Sequence, residues 1–167
     1  MEHLTPEANS VLRRSLVRVT VGGSLAMVYM ACVGSPATTE FFRFLGATET
    51  HFGLFSGLPM LMLSLQFVGA VLTNRLRARK PAFMFCMIAS RLTYVLMVLA
   101  ALWAPPSSRR AVLLLSIGLV GLNAALLNIG SPLWFSWMAD LIPHRVLNRY
   151  WGVRQRWMHV VWTVTHL

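Results

Sequence analysis

Four apolar stretches, roughly Val19 to Ala37, Gly53 to Thr73, Pro81 to Ala104 and Ala111 to Ala139, occupy most of the chain, and Arg91 is the only formal charge inside them. At about 1.5 Å rise per residue, each reaches across a hydrocarbon core of about 30 Å. In lipid a spanning segment must satisfy its own backbone hydrogen bonds, and a single stretch does so only as an α-helix. The pattern therefore predicts an all-α, polytopic transmembrane bundle. A soluble domain of 167 residues with 56% hydrophobic and 12% charged residues would have nowhere to hide that surface, so the lipid bilayer is the first expected partner.

The net charge of +10 would suggest nucleic acid in a soluble protein. Here the basic residues sit in short gaps beside the spans and form no continuous stripe, so they read as topogenic charge and no nucleic-acid partner is expected. Arg13, Arg14 and Arg18 precede the first span, Arg75, Arg77, Arg79 and Lys80 separate the second from the third, and Arg145, Arg149, Arg154 and Arg156 follow the fourth. The alternate gaps hold only Arg43, Arg109 and Arg110, with Glu40 and Glu49 beside the first of these. By the positive-inside rule the N-terminus is cytoplasmic. Residues 1–18 then form a cytoplasmic segment and 19–167 the membrane domain. A second reading of the first span, as a cleaved signal ending at Ser35-Pro36-Ala37, would leave three full spans in the membrane.

A fifth apolar segment begins near Trp157 and reaches Leu167. At helical rise it covers about 16 Å, half the hydrocarbon core, which makes it an incomplete crossing. Cys32 and Cys86 fall inside spans without metal-ligand spacing and read as apolar filler. The histidines are scattered over ends and loops, away from any Asp or Glu at ligand spacing. With no nucleophile and base, no metal set and no phosphate-binding loop, the sequence predicts neither an enzyme nor a cofactor.

Three landmarks carry a family likeness. The first is Phe41-Phe42-Arg43-Phe44-Leu45-Gly46-Ala47-Thr48 followed by Phe52-Gly53-Leu54. The second is the basic loop from Gly69 through Asn74-Arg75-Leu76-Arg77-Ala78-Arg79-Lys80. The third is Trp134-Phe135-Ser136-Trp137-Met138-Ala139-Asp140-Leu141-Ile142-Pro143, continued by Arg149-Tyr150-Trp151-Gly152-Val153-Arg154. From about Arg13 onward the chain resembles the N-terminal part of a major facilitator superfamily transporter, in a bacterial branch of such permeases. Where the family has an acid and a glycine in the basic loop, this chain has Asn74 and Arg77, so the acidic latch that the resemblance implies between the two halves is missing. Where the branch has Arg-Gly before Arg149-Tyr150, Leu147 and Asn148 stand, and an asparagine tolerates the left-handed turn that glycine would supply. As a plain charge cluster, Arg75, Arg77, Arg79 and Lys80 are equally well explained by topology alone.

Physically, Asp140 followed by Pro143 is expected to close the fourth helix, because proline cannot continue the hydrogen-bond ladder. Gly34-Ser35-Pro36 late in the first span is echoed by Gly130-Ser131-Pro132 late in the fourth, which predicts helix breaks at Gly34, Pro36, Gly130 and Pro132 in an inverted-repeat arrangement. Arg91 lies on the order of 15 Å deep, where a charge must face protein, water or a ligand. It reads either as a solute or counter-ion contact or as a structural arginine. Tyr29, Glu40, Asn123 and Asn128 join it as candidates for a transport path, although asparagine, like Gln66, also glues helices together. Gly53 and Gly57 form one GxxxG step suited to close helix contact.

The resemblance implies secondary-active transport of a small solute across a bacterial inner membrane, by roughly the first five of twelve helices. A chain of that extent would need the C-terminal half, or another copy of itself, before it could transport. The competing reading is a small membrane scaffold or assembly protein whose spans pack on a partner.

Overall fold

A computed structural model describes residues 6–34 and 36–166, and among them the chain is helical without a strand. Four segments are long and apolar enough to cross a membrane: Leu12–Phe44, Glu49–Arg75, Arg79–Trp103 and Arg109–Leu141. The protein is thus an all-α membrane protein. Its packing divides into two units, one of Met1–Thr39 with His144–Leu167 and the other of Glu40–Pro143.

The first unit pairs α1 (Pro6–Val33) with α7 (His144–His166). The helix α1 starts well before the first apolar stretch and so takes in most of the expected cytoplasmic segment. Gly23 is the close point of the pair: a Cβ there would lie 2.9 Å from the Arg154 guanidinium and 3.4 Å from the Met158 sulfur. At its far end α1 stops at Val33, and α2 (Pro36–Phe44) resumes after the interruption. The Gly34 amide donates to the Met30 carbonyl at 2.7 Å, while the Thr38 hydroxyl donates to the Val33 carbonyl. The hydroxyl thereby reaches a carbonyl in the last turn of α1, where a helix end leaves acceptors to be satisfied. Ser35 lies outside the described residues.

In the second unit α2 turns into α3 (Glu49–Met62) through Gly46, whose φ of +84° is the left-handed conformation that glycine reaches without strain. The amides of Gly46 and Ala47 donate back to the carbonyls of Arg43 and Phe42, closing the end of α2. His51 accepts the Thr48 amide at 3.1 Å and so caps α3, a structural task for one of the scattered histidines. The second span is α3, a three-residue 3₁₀ turn at Leu63–Leu65, and α4 (Gln66–Arg75). Pro59 within α3 withholds an amide from the ladder, and at the 3₁₀ turn that follows α3 the Ser64 hydroxyl bonds the Leu61 carbonyl at 2.8 Å.

The third and fourth spans are α5 (Arg79–Trp103) and α6 (Arg109–Leu141), and α6 packs against α3, α4 and α5. One end of this unit holds a core of Phe42, Leu45, Met97, Leu113, Ile117 and Val120. At the other end glycine lets backbones meet. A Cβ on Gly69 of α4 would run into the Ile129 carbonyl of α6 and lie 3.1 Å from Pro132, and one on Gly130 would lie 3.1 Å from Cys86 on α5. Outward faces are apolar: Phe67, Phe85 and Trp103 are 75%, 70% and 83% exposed, the inverse of a soluble surface and suited to lipid.

Two expectations are corrected. The helix α6 runs unbroken through Gly130 and Pro132, because Gly130 is wedged against α5 and neighbouring helices hold a proline-bearing turn in helical form. Gly53 and Gly57 meet nothing within 4 Å, so their step faces away from the rest of the described chain.

Candidate functional site

Three groups of polar side chains stand out along α6 among the described residues. The deepest is Asn123, 6% exposed, whose amide donates to the Ser90 carbonyl of α5 at 2.6 Å and to the Thr93 hydroxyl at 3.3 Å. Thr93 in turn donates to the Ser90 carbonyl at 2.6 Å. This network lies inside the α5–α6 contact, where every polar atom needs a protein partner because lipid offers none. Asn123 thus joins α6 to α5, the helix-joining reading that the sequence offered beside the transport path. Serine and threonine in an apolar span were the available signal for it.

One and a half turns further along α6, Asn128 meets Gln66 of α4. The Gln66 amide donates to Asn128 Oδ1 at 3.0 Å, and the Asn128 amide donates to the Ala124 carbonyl at 2.8 Å. Gln66 is exposed and Asn128 half-buried, so this pair opens outward where Asn123 does not. Both residues stand beside weakened backbone. Gln66 directly follows the 3₁₀ turn, and Pro132 lacks the N–H that would otherwise bond the Asn128 carbonyl. Two side-chain amides and a carbonyl without its helical donor thus gather at one spot, an arrangement able to bind an uncharged polar group or a weak cation.

The third group closes the Arg79 end of the bundle. Arg79 at the start of α5 pairs with Asp140 of α6 and also donates from Nε to the Thr73 carbonyl at 3.2 Å, tying α4, α5 and α6 together. Lys80 lies 5.7 Å from the Trp137 ring, and Phe83 packs against the same indole. Asn74 and Arg75 are exposed at the end of α4. The helix α6 stops at Leu141, with Ile142 extended in front of Pro143, as the residue before a proline prefers.

Arg149, Gly152 and Arg154 do not lie in a loop. The helix α7 begins at His144, directly after Pro143, and none of the described non-glycine residues has a positive φ, so no left-handed turn forms at Asn148. Apart from Gly152, which a helix tolerates at about 1 kcal/mol, nothing past Pro143 interrupts helical geometry. Arg154 is buried against Gly23, with its guanidinium 5.3 Å from the Trp151 ring. Burial lowers its pKa from the usual arginine value, and Tyr150 opposes the shift.

The remaining candidates are dispersed. Glu40 is exposed and pairs with Arg43 at 2.7 Å, three residues on in α2. Arg91 is half-buried on α5, next to Ser90, and Tyr29 is half-buried on α1 of the other unit. No group of three His, Cys, Asp or Glu able to hold a metal occurs among the described residues. No protein-family model, curated protein or solved structure matches the chain.

Proposed function

We propose that this chain belongs to a secondary-active transporter of the major facilitator type, carrying a small solute across the inner membrane with its N-terminus and arginine-rich ends in the cytoplasm. The observation that carries the reading is the Gln66–Asn128 pair. Two spans present amides to each other on an open side, each beside a proline- or turn-weakened stretch of backbone able to bend. A bundle serving only as a scaffold needs polar glue of the Asn123 kind, but not an outward-facing amide pair. The sequence likeness at the basic loop and at Trp134 to Pro143 supports the same reading, and the Arg79–Asp140 tie gives that end of the bundle a charged fastening although the family's acid is replaced by Asn74. Catalysis has no part in the proposal. Substrate movement would come from rocking of helical bundles around a central site.

Energised inside-out vesicles carrying the native gene product test it, with a dye reporting the proton gradient and a panel of polar solutes added in turn. At least one solute is expected to collapse the gradient. Gln66→Ala with Asn128→Ala should weaken that response at least tenfold, while Asn123→Ala keeps it at matched protein amount. A panel without any response, together with loss of a co-purifying membrane partner in Asn123→Ala, would sink transport and establish the scaffold.

A further inference from the structure

The first unit carries a groove that the Gln66–Asn128 pair does not touch. Between α1 and α7 runs an open groove of about 620 Å³. Its walls are apolar, with Leu16, Val21 and Leu25 from α1 facing Val153, Trp157 and Val161 from α7. The long contact of the Tyr150 hydroxyl with the Leu16 carbonyl, at 3.5 Å, bridges the two walls. Charge is confined to one end. Arg13 lines the groove mouth and also an adjoining cavity formed with Ser10, Arg14 and Arg18. Neither cavity is lined by a carboxylate among the described residues.

We propose that this groove binds an anionic phospholipid, its phosphate held by Arg13 and Arg14 and one acyl chain lying between α1 and α7. Charge complementarity selects the occupant. A cationic mouth above an apolar trough matches a molecule that is anionic at one end and hydrocarbon beyond it, and basic pockets between membrane helices are suited to such headgroups. Length agrees as well: from Arg13 to Val28 the α1 wall extends about 22 Å, more than the acyl depth of one leaflet, about half of a 30 Å core. Leu12–Phe44 is itself long and apolar enough to cross a membrane, which would surround the groove with lipid. A second copy of the chain would bring another set of arginines to the mouth, and like charges disfavour it. The proposal stands whether or not the protein transports.

Native mass spectrometry of the detergent-purified chain, offered equal amounts of phosphatidylglycerol and phosphatidylethanolamine, provides the test. The expected result is one retained phosphatidylglycerol per chain with at least fivefold preference. Arg13→Gln with Arg14→Gln should abolish the preference, whereas Arg109→Gln with Arg110→Gln, the same change of charge elsewhere, should keep it. Equal retention of both lipids, an unchanged preference in the Arg13/Arg14 variant, or a lipid-free dimer would overturn the proposal. Should the arginine variant fail to fold, acyl-brominated lipids report on the otherwise unaltered chain. Brominated phosphatidylglycerol is expected to quench the part of the emission that Trp157→Phe removes, and quenching of equal size by the brominated phosphatidylethanolamine would refute selective binding.

Discussion

Gly69 illustrates how one residue without a side chain sets the distance between two spans. Its backbone lies against the Ile129 carbonyl, so a methyl group there meets rigid backbone and the helices must separate. Overpacking of this kind costs about 1–3 kcal/mol. Gly69→Ala is expected to lower the thermal midpoint of the purified protein by several degrees, read by maleimide labelling of buried Cys86 in a Cys32→Ser background. Gly53→Ala, where a Cβ meets open space, should leave it unchanged or slightly raise it. Equal effects of the two would remove Gly69 from the α4–α6 contact. In the sequence Gly69 is only the first residue of the basic-loop landmark. Its packing role could not be seen there, since nothing local reveals which glycine faces a neighbour's backbone.

Proline at the scale of a helix behaves according to what surrounds it. Pro36 follows Gly34 at a real interruption, whereas Pro132 sits in a helix of 33 residues that continues past it. The two Gly-Ser-Pro triplets are alike in sequence, and the difference lies in support: α5 and α4 press on Gly130 and Pro132 from two sides. Pro132 nonetheless removes one backbone bond beside Asn128, leaving α6 a point of low bending stiffness. Pro132→Ala restores the missing N–H. The variant is expected to fold with equal or slightly higher stability, yet to slow the proposed transport at least tenfold in the vesicle assay, because the helix no longer bends there. Unaltered transport at matched amount would take bending of α6 out of the mechanism.

On the scale of the whole molecule, orientation in the membrane follows from where the arginines lie. Each basic residue in a short loop resists translocation, and the ends of the spans near Arg13, Arg79 and Arg149 carry the excess. Fusions truncated after Ala78 are expected to give fluorescent green fluorescent protein and inactive alkaline phosphatase, and those after Pro106 the reverse. The opposite pattern would invert the proposed topology and with it the leaflet in which Arg13 and Arg14 meet a headgroup.

The helical form and the four segments long and apolar enough to cross a membrane were legible in the sequence alone, because apolar length against bilayer thickness is a local property that no distant residue can alter. Likewise the stop of α6 before Pro143 follows from the chemistry of the residues themselves. Which polar groups face which was not legible. Asn123 and Asn128 lie on the same apolar span, yet the first is spent on Ser90 and Thr93 within the α5–α6 contact while the second reaches Gln66 across an open side. The same holds for the start of α7 at His144, where helical propensity outweighed a motif that suggested a turn, and for the groove between α1 and α7. These depend on the rotation and approach of helices about their axes, which packing of glycines and side chains far apart in the chain decides.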